Sequence, residues 1–229
     1  KSDSNGFPID FTDDHSIDSA CDGISSIIHL AAMNAQSCSA NPEEALLVNS
    51  LGTFKLLKAA KKNKVSKFLY FSTAHVYGSP LIGEVNEELL PRPVHPYSIT
   101  HRVAEAYVLE EAYKARLSAS VFRLTNAVGS PITPQANCWM LVANDFCRQA
   151  VISNSIKVHS NKLLQRDFIP ISSICSIVSS SLNSNVLDGE IVNLSSGISI
   201  TLQSLATLIA DRTEIVLGFR PHIDFLNNS

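Results

Sequence analysis

Short apolar runs rich in β-branched residues alternate along the chain with longer segments whose apolar residues recur at helical spacing. The apolar runs, which the pattern predicts to be strands, are residues 25–32, 65–71, 119–124 and 156–158, and residues 190–197 are predicted to be a strand followed by a turn. The segments with helical spacing are residues 41–64, 96–112, 139–152 and 201–211, and Asn41 followed by Pro42 is a suitable opening for the first of them. This alternation predicts an α/β fold, in which a parallel sheet has helices on both faces and a small mixed α/β lobe is added.

The helix predicted to begin at Pro96 carries two polar rings on one face. Proline fixes the backbone for the first turn, and Tyr97 and His101 are four residues apart, about 6 Å along the helix axis on the same side. A phenol beside a nitrogen base at this spacing can donate or accept a proton. The alternative interpretation of these residues alone is an ordinary amphipathic helix with an exposed tyrosine.

Composition limits the possible partners. The 229 residues are 45% hydrophobic and 17% charged, with a net charge of -3, which gives no electrostatic reason to expect nucleic acid or an anionic membrane as a partner. No apolar run approaches the length that a membrane-spanning helix needs. The five cysteines are scattered without a Cys-x-x-Cys pair, which indicates reduced thiols in the cytoplasm and argues against a zinc site.

Three motifs add chemistry to this pattern. FSTAHVYG at residues 71–78 precedes the PYSITH stretch at residues 96–101, and RLTNAVG follows at residues 123–129. Together they resemble the extended short-chain dehydrogenase/reductase family, specifically its NAD-dependent nucleotide-sugar epimerases and dehydratases. That family has a Tyr-x-x-x-Lys pair on a helix, and here His101 occupies the position of the lysine. The resemblance implies a Rossmann-type fold, with a cofactor-binding part at residues 1–130 and a mainly substrate-binding lobe at residues 131–229, from which the chain crosses back around residues 165–195.

The resemblance also implies roles for individual residues. The catalytic residues would be Tyr97, Thr73 and His101. The cofactor-binding residues would be Asp10, Phe11, Ala31, Ala32, Asn49, Tyr97, His101 and Leu124, with Asp10 and Phe11 on a short strand at residues 7–13. The substrate-binding residues would be Thr73, Asn126 and Arg166. Two of the polar residues have structural alternatives, because His29 is expected to be a hydrogen-bonded core histidine and Arg166 can form an ion pair with Asp167.

We expect the chain to be a fragment. The family's first strand, its glycine-rich phosphate turn and its first helix have no counterpart before residue 7, and family members continue beyond residue 229. Since that turn holds the cofactor pyrophosphate, we expect the complete protein to bind the cofactor better than this chain.

The implied function is epimerisation of a nucleotide-diphosphate sugar with NAD, or alternatively NADP, as cofactor and no metal. Tyr97 would transfer the proton of a sugar hydroxyl while hydride leaves the same carbon, and Thr73 would orient the oxygen. A nucleotide-sugar ketoreductase is the nearest alternative, and a catalytically silent nucleotide- or sugar-binding protein is an alternative of another class. A 4,6-dehydratase is disfavoured, because Ala74 and His75 stand where family dehydratases have an Asp-Glu pair. A second copy of the chain is a further expected partner.

Overall fold

A computed structural model describes residues 8–225 of the chain. These residues form two compact units. The first unit contains residues 8–124 and 176–194, and the second contains residues 125–175 and 195–225. The expected α/β class is confirmed, because the first unit is built on a parallel sheet with helices between its strands.

The sheet of the first unit has four parallel strands in the order β1-β2-β3-β7. These strands are β1 Ser26–His29, β2 Lys67–Thr73, β3 Ser118–Leu124 and β7 Ile191–Leu194. The helices are α1 Asp14–Cys21, α2 Ala35–Ala40, α3 Pro42–Ala45, α4 Gly52–Lys62 and α5 Pro96–Tyr113, and α7 Ile171–Leu182 connects the two units along the chain. Every residue of β2 is buried, as expected for a central strand with both faces covered.

The prediction of a strand at residues 7–13 is wrong, because the described part of this segment, residues 8–13, contains a turn that leads into α1. The carboxylate of Asp10 accepts hydrogen bonds from the backbone N–H of Thr12 at 2.8 Å and from its hydroxyl at 2.7 Å. Asp13 then caps α1 by accepting a hydrogen bond from the N–H of His15. Aspartate side chains that bond nearby backbone in this way compete with strand pairing. Phe7 lies outside the described residues.

The helix predicted over residues 41–64 is interrupted by a different helical turn. Asn41 is the N-cap and Pro42 the first residue of α3, as predicted, and α4 ends at Lys62. Between α3 and α4, Leu46–Leu51 form a π-helix. This wider turn contains Asn49, whose side chain is almost completely buried. Such insertions occur often at functional sites, and a hydrophobic pattern does not reveal them.

The carboxyl end of β2 continues into a tight turn before α5. Ala74–Tyr77 form a 3-10 helix, and Gly78 follows with a φ of 118°. A Cβ atom at Gly78 would lie 3.1 Å from the carbonyl oxygen of Arg92, so glycine suits both the backbone conformation and the close approach. α5 is capped by the side chain of His95, which accepts a hydrogen bond from the N–H of Tyr97 at 3.1 Å.

The second unit has a three-stranded sheet in the order β4-β6-β8 and a separate parallel pair of β5 and β9. Its strands are β4 Asn126–Val128, β5 Ser155–Val158, β6 Gln165–Pro170, β8 Ser199–Thr201 and β9 His222–Phe225. Its two further helices are α6 Val142–Ser153 and α8 Leu202–Leu217. These helices and the β5/β9 pair enclose a core of their own around Phe146 and Ile156.

In the second unit one helix begins later than predicted, and one glycine allows a close contact. The helix expected from Trp139 begins only at Val142, because the indole N–H of Trp139 donates to the carbonyl oxygen of Pro134 at 2.9 Å and holds it in the preceding loop. Gly129 allows a close contact, since a Cβ atom there would lie 2.8 Å from Cδ1 of Ile171. Within residues 8–225, no helix is long and apolar enough to span a membrane.

Candidate active site

Tyr97 and Thr73 meet where the first turn of α5 lies beside the carboxyl end of β2. Strand β2 ends at Thr73, and Tyr97 is the second residue of α5. Burial raises the pKa of the Tyr97 phenol, and its hydrogen bond with Thr73 acts in the opposite direction. The raised pKa favours a protonated phenol at neutral pH, which is a form that can donate a proton.

His101 lies one turn after Tyr97 and is buried. The two rings pack edge to face with their centroids 4.5 Å apart. Nδ1 of His101 is 2.7 Å from the hydroxyl oxygen of Tyr70, whereas Nε2 has no hydrogen-bond partner within the part of the chain that the structure describes. Burial lowers the pKa of His101 to about 4, so the ring is neutral at pH 7. His101 therefore does not supply the positive charge of the lysine that it replaces.

His29 belongs to a hydrogen-bonded network beneath this pair. Its Nε2 is 2.8 Å from Oγ1 of Thr53, and the Thr53 hydroxyl donates to the carbonyl oxygen of Asn49 at 2.6 Å. The His29 ring is 5.5 Å from the Tyr70 ring, and burial is the main cause that lowers the pKa of His29 to about 4. These contacts agree with the interpretation of His29 as a hydrogen-bonded core histidine.

Asn49 joins the loop after β1 to α5. Its Oδ1 accepts a hydrogen bond from the N–H of Met33 at 2.7 Å, and its Nδ2 donates to Oγ1 of Thr100 at 3.0 Å. Both polar groups of this side chain therefore have partners within the chain. These contacts hold the helix start that carries Tyr97, while the role of Asn49 in cofactor binding stays a prediction.

A buried ion pair between Glu105 and Arg123 lies one turn beyond His101. Arg123 donates to the two carboxylate oxygens of Glu105 at 2.9 and 2.8 Å, and the hydroxyl of Ser72 donates to the same carboxylate at 2.6 Å. The guanidinium of Arg123 also lies 4.6 Å from the centre of the Tyr77 ring. Sequence analysis missed Glu105 as the partner of Arg123. The available signal was the i, i+4 spacing from His101, which places Glu105 on the face that packs on the sheet.

An apolar cavity of about 480 Å³ lies beside β1, within the size range of ligand pockets. Two predicted cofactor-binding residues, Phe11 and Ala31, line it together with His29. Asp10 and Ala32 are exposed and do not line it, and Leu124 is half-buried at the end of β3. Hydrogen bonds from Thr12 lower the pKa of Asp10. The structure thus brings together only part of the predicted cofactor-binding set.

The predicted substrate-binding residues Asn126 and Arg166 lie on neighbouring strands of the second unit. Nδ2 of Asn126 donates to the carbonyl oxygen of Asp167 at 2.7 Å. Arg166 is half-buried, and it is not among the residues that bond the Asp167 carboxylate in the described part of the chain. The Asp167 carboxylate instead accepts hydrogen bonds from Thr125 at 2.9 Å and from the N–H and hydroxyl of Ser196. The ion-pair alternative for Arg166 is therefore not realised.

The second unit also contains a cavity of about 530 Å³ beside α6. Trp139 and Arg148 line it, with the guanidinium of Arg148 5.6 Å from the centre of a Trp139 ring. Neither Asn126 nor Arg166 lines this cavity. In residues 8–225 there is no group of three or more His, Cys, Asp or Glu side chains that could hold a metal ion.

Known proteins resemble this chain over most of its length. GDP-6-deoxy-D-talose 4-dehydrogenase of Aggregatibacter actinomycetemcomitans is 29% identical over 187 residues, which cover 81% of this chain and 60% of that protein. GDP-6-deoxy-D-mannose reductase of Pseudomonas aeruginosa is 28% identical over 197 residues, which cover 83% of this chain and 64% of that protein. The chain thus spans less than two thirds of the length of these two relatives.

The fold has a similar counterpart among solved structures. The structure of RMD from Pseudomonas aeruginosa complexed with NADPH superposes with a TM-score of 0.79 at 25% identity, covering 96% of this chain and 75% of that one. The sequence model of the NAD dependent epimerase/dehydratase family matches residues 2–195. Because this match covers most of the chain, the chain belongs to the NAD dependent epimerase/dehydratase family.

Proposed function

We propose that the protein is an NAD(P)-dependent oxidoreductase that acts on a nucleotide-diphosphate sugar, with Tyr97 as the proton-transfer residue. The observation that carries the proposal is the position of Tyr97 in the first turn of α5, near Thr73 at the carboxyl end of β2, with His101 packed against the tyrosine ring. Ligands of open α/β sheets bind at this end of the strands. The two relatives are named for reactions on GDP-sugars, which supports the substrate class.

The protonation state of the site favours reduction of a sugar ketone over epimerisation as the first step. The Tyr97 phenol, with its pKa raised by burial and a neutral imidazole beside it, is protonated at neutral pH, which is the form that can give a proton to a developing alkoxide. Epimerisation needs the same phenol to accept a hydroxyl proton first, which a raised pKa disfavours at neutral pH. The relative named as a GDP-6-deoxy-D-mannose reductase supports the same direction, and epimerisation remains the alternative.

The residues of the first unit fit a dinucleotide cofactor. The apolar cavity beside β1 is lined by Phe11 and Ala31, and a small side chain such as alanine lets a ring approach the backbone closely. The unpartnered Nε2 of His101 leaves a polar group beside Tyr97 for a ligand hydroxyl, once the ring or its surroundings adjust. When bound, NAD(P) supplies hydride exchange with a sugar carbon.

The chain's own residues perform the remaining steps. Thr73 hydrogen-bonds the sugar oxygen and holds it close to the Tyr97 hydroxyl. Tyr97 gives its proton to that oxygen as the carbon receives hydride, and the tyrosinate is then reprotonated from solvent. Asn126 and Arg166 hold the diphosphate, for which a planar guanidinium with several donors is well suited.

The test of the proposal is turnover by the whole protein with NADP and GDP-6-deoxy-D-mannose, GDP-6-deoxy-D-talose or UDP-glucose, followed by the absorbance of the reduced nicotinamide. We expect oxidation of a GDP-sugar, the reverse of the reduction, and a loss of turnover of roughly 10²- to 10⁴-fold in Tyr97→Phe. Conversion of UDP-glucose to its epimer without net redox change would favour the epimerase. Binding of nucleotide sugar without any turnover would favour the silent binding protein.

The role of Arg166 is tested separately by calorimetry. Arg166→Ala is expected to weaken GDP-sugar binding about tenfold or more and to leave NADP binding unchanged, because it removes charge-assisted hydrogen bonds to phosphate. Arg220→Ala, which removes an exposed arginine paired with Glu214, is the matched control. Equal losses for both ligands would indicate a structural role for Arg166.

An apolar face supports a second copy of the chain as partner. Exposed apolar side chains follow one another along the π-helix, α4 and α5, namely Leu47, Leu51, Phe54 and Tyr107. The centroids of the Phe54 and Tyr107 rings are 4.9 Å apart. Burying such a face against an identical one would remove apolar surface from water. Sedimentation of the whole protein tests this part of the proposal, and a monomer at all concentrations would contradict it. The cytoplasmic location expected from the five free cysteines also stays a proposal.

A further inference from the structure

The hydroxyl of Thr53 determines which nitrogen of His29 carries the proton. A carbonyl oxygen only accepts hydrogen bonds, so the 2.6 Å contact between Thr53 and the Asn49 carbonyl uses the single proton of Thr53. Oγ1 of Thr53 must therefore accept from Nε2 of His29 at 2.8 Å. His29 is thus the tautomer with its proton on Nε2.

The same reasoning, with a different donor, applies to His101. The hydroxyl oxygen of Tyr70 and Nδ1 of His101 are 2.7 Å apart, and both residues are buried. This distance is typical of an O–H donor and short for an imidazole N–H donor. A phenol is also the more acidic of the two groups, and an imidazole nitrogen is the better acceptor. Tyr70 is therefore the donor, and Nδ1 of His101 is the acceptor.

A neutral imidazole carries one proton, so occupation of Nδ1 by the Tyr70 donor places that proton on Nε2. We propose that Tyr70 is a positioning residue that keeps the His101 proton on Nε2 and so presents a neutral hydrogen-bond donor beside Tyr97. This inference rests on the proposed function for its use, since the donor would bind an oxygen of the cofactor or the substrate. His101 then retains the N–H donor of a lysine without its charge.

The surroundings of Nε2 support this role. Nε2 is buried and has no partner among residues 8–225, and a buried N–H without an acceptor destabilises the folded protein. The His29 ring, in contrast, has its N–H satisfied by Thr53. Of the two buried histidines, only His101 therefore has an unsatisfied ring nitrogen close to the proposed proton-transfer residue.

The test uses nitrogen NMR of histidines in the whole protein without ligands, because protonated and unprotonated ring nitrogens have well separated resonances. Signals of His101 are identified by their loss in His101→Gln. We expect Nε2 to be protonated and Nδ1 to be unprotonated and hydrogen-bonded at pH 7. A proton on Nδ1, or an imidazolium, would overturn the proposal, and the protonation state is read on the natural protein, with the variant used only to assign the signals.

Tyr70→Phe keeps the ring volume and removes the donor. We expect the Nδ1 resonance to move to that of an unbonded ring nitrogen, and turnover to fall roughly tenfold with an unchanged KM for the sugar, because the imidazole loses its fixed orientation. Tyr113→Phe is the matched control, since Tyr113 is on α5, the helix that carries His101, and is 91% exposed. Unchanged His101 resonances in Tyr70→Phe would overturn the proposal. The nitrogen resonances decide it even if no nucleotide sugar is turned over, which would count against the proposed function only.

Discussion

Two successive turns of α5 hold buried polar groups in opposite ways. At Glu105 the carboxylate charge is matched, because Arg123 donates to both carboxylate oxygens, Ser72 adds a third hydrogen bond and Arg102 a fourth at 3.2 Å. This carboxylate is saturated, although Nη1 of Arg123 has no partner among residues 8–225. At His101, one turn earlier, the ring is neutral and one nitrogen has no partner in the described part of the chain. The saturated turn connects α5 to β2 and β3, whereas the unsaturated turn keeps a polar group available for a ligand. Under the proposed function, this difference separates the residues that hold the site from those that act in it.

Breaking the saturated turn is expected to have the largest effect on stability. Glu105→Gln removes the negative charge and leaves the Arg123 cation buried without a counter-charge, which should lower the free energy of unfolding by about 3–5 kcal/mol. Urea denaturation measures this loss. Glu110→Gln, which removes an exposed carboxylate paired with Lys114 on the same helix, is the control and should leave stability unchanged. A Glu105→Gln variant as stable as the natural protein would show that the pair does not hold α5 on the sheet.

Acid is expected to have the second largest effect on stability, through protonation of His101 and His29. Burial lowers the pKa of both His101 and His29 from 6.5 to about 4, so the unfolded chain binds protons that the folded chain does not. Their contribution to stability is therefore complete above pH 6.5 and is lost as the pH falls towards about 4, by roughly 3 kcal/mol for each histidine.

Denaturation of His101→Gln across this pH range checks the contribution of one ring. Between pH 6.5 and about 4, the free energy of unfolding of the variant should fall through histidine protonation by about half as much as that of the natural protein. His15→Gln, which removes an exposed histidine, should match the natural protein. An identical pH dependence of His101→Gln and the natural protein would mean that His101 is protonated as easily in the folded state as in the unfolded one.

Placing a positive charge at position 101 should have the smallest of these effects, and the effect is on turnover. His101→Lys places a cation near Tyr97 and should lower the pKa of the phenol, which would raise turnover near pH 7 by roughly tenfold, or about 1.4 kcal/mol in the barrier. Steady-state rates across pH measure the change, and adding Tyr97→Phe to His101→Lys should remove it. If the lysine variant is no faster at any pH while the natural protein turns over well, the neutral imidazole is not a weaker replacement for lysine.

The sequence predicted the elements that present the site but not the contacts that decide its chemistry. Proline at position 96 and the four-residue spacing were enough to place Tyr97 in the first turn of α5 and His101 beside it. The short strand expected at Asp10 is a turn, because the hydrogen bonds of Asp10 with Thr12 are local and compete with strand pairing.

Contacts between distant segments account for what the pattern could not show. Tyr70 is 31 residues before His101, and only the packing of α5 on β2 brings its hydroxyl to Nδ1. The position of Arg123 opposite Ser72 depends on the register of β2 and β3, which a single sequence does not reveal. The neutral state of His101 follows from the same packing, since burial is the cause of its lowered pKa.

The central claim, that His101 works beside Tyr97 as a neutral group, is tested most directly by titrating the His101 ring in the whole protein by NMR. Tyr97 and Tyr70 contact this ring and His29 interacts with it electrostatically, so the protonation of all three is followed in the same samples. The account predicts that His101 stays uncharged at pH 7 and is half protonated at about pH 4. Half protonation at pH 6.5 or above would contradict it and would make His101 a cation that can replace the lysine.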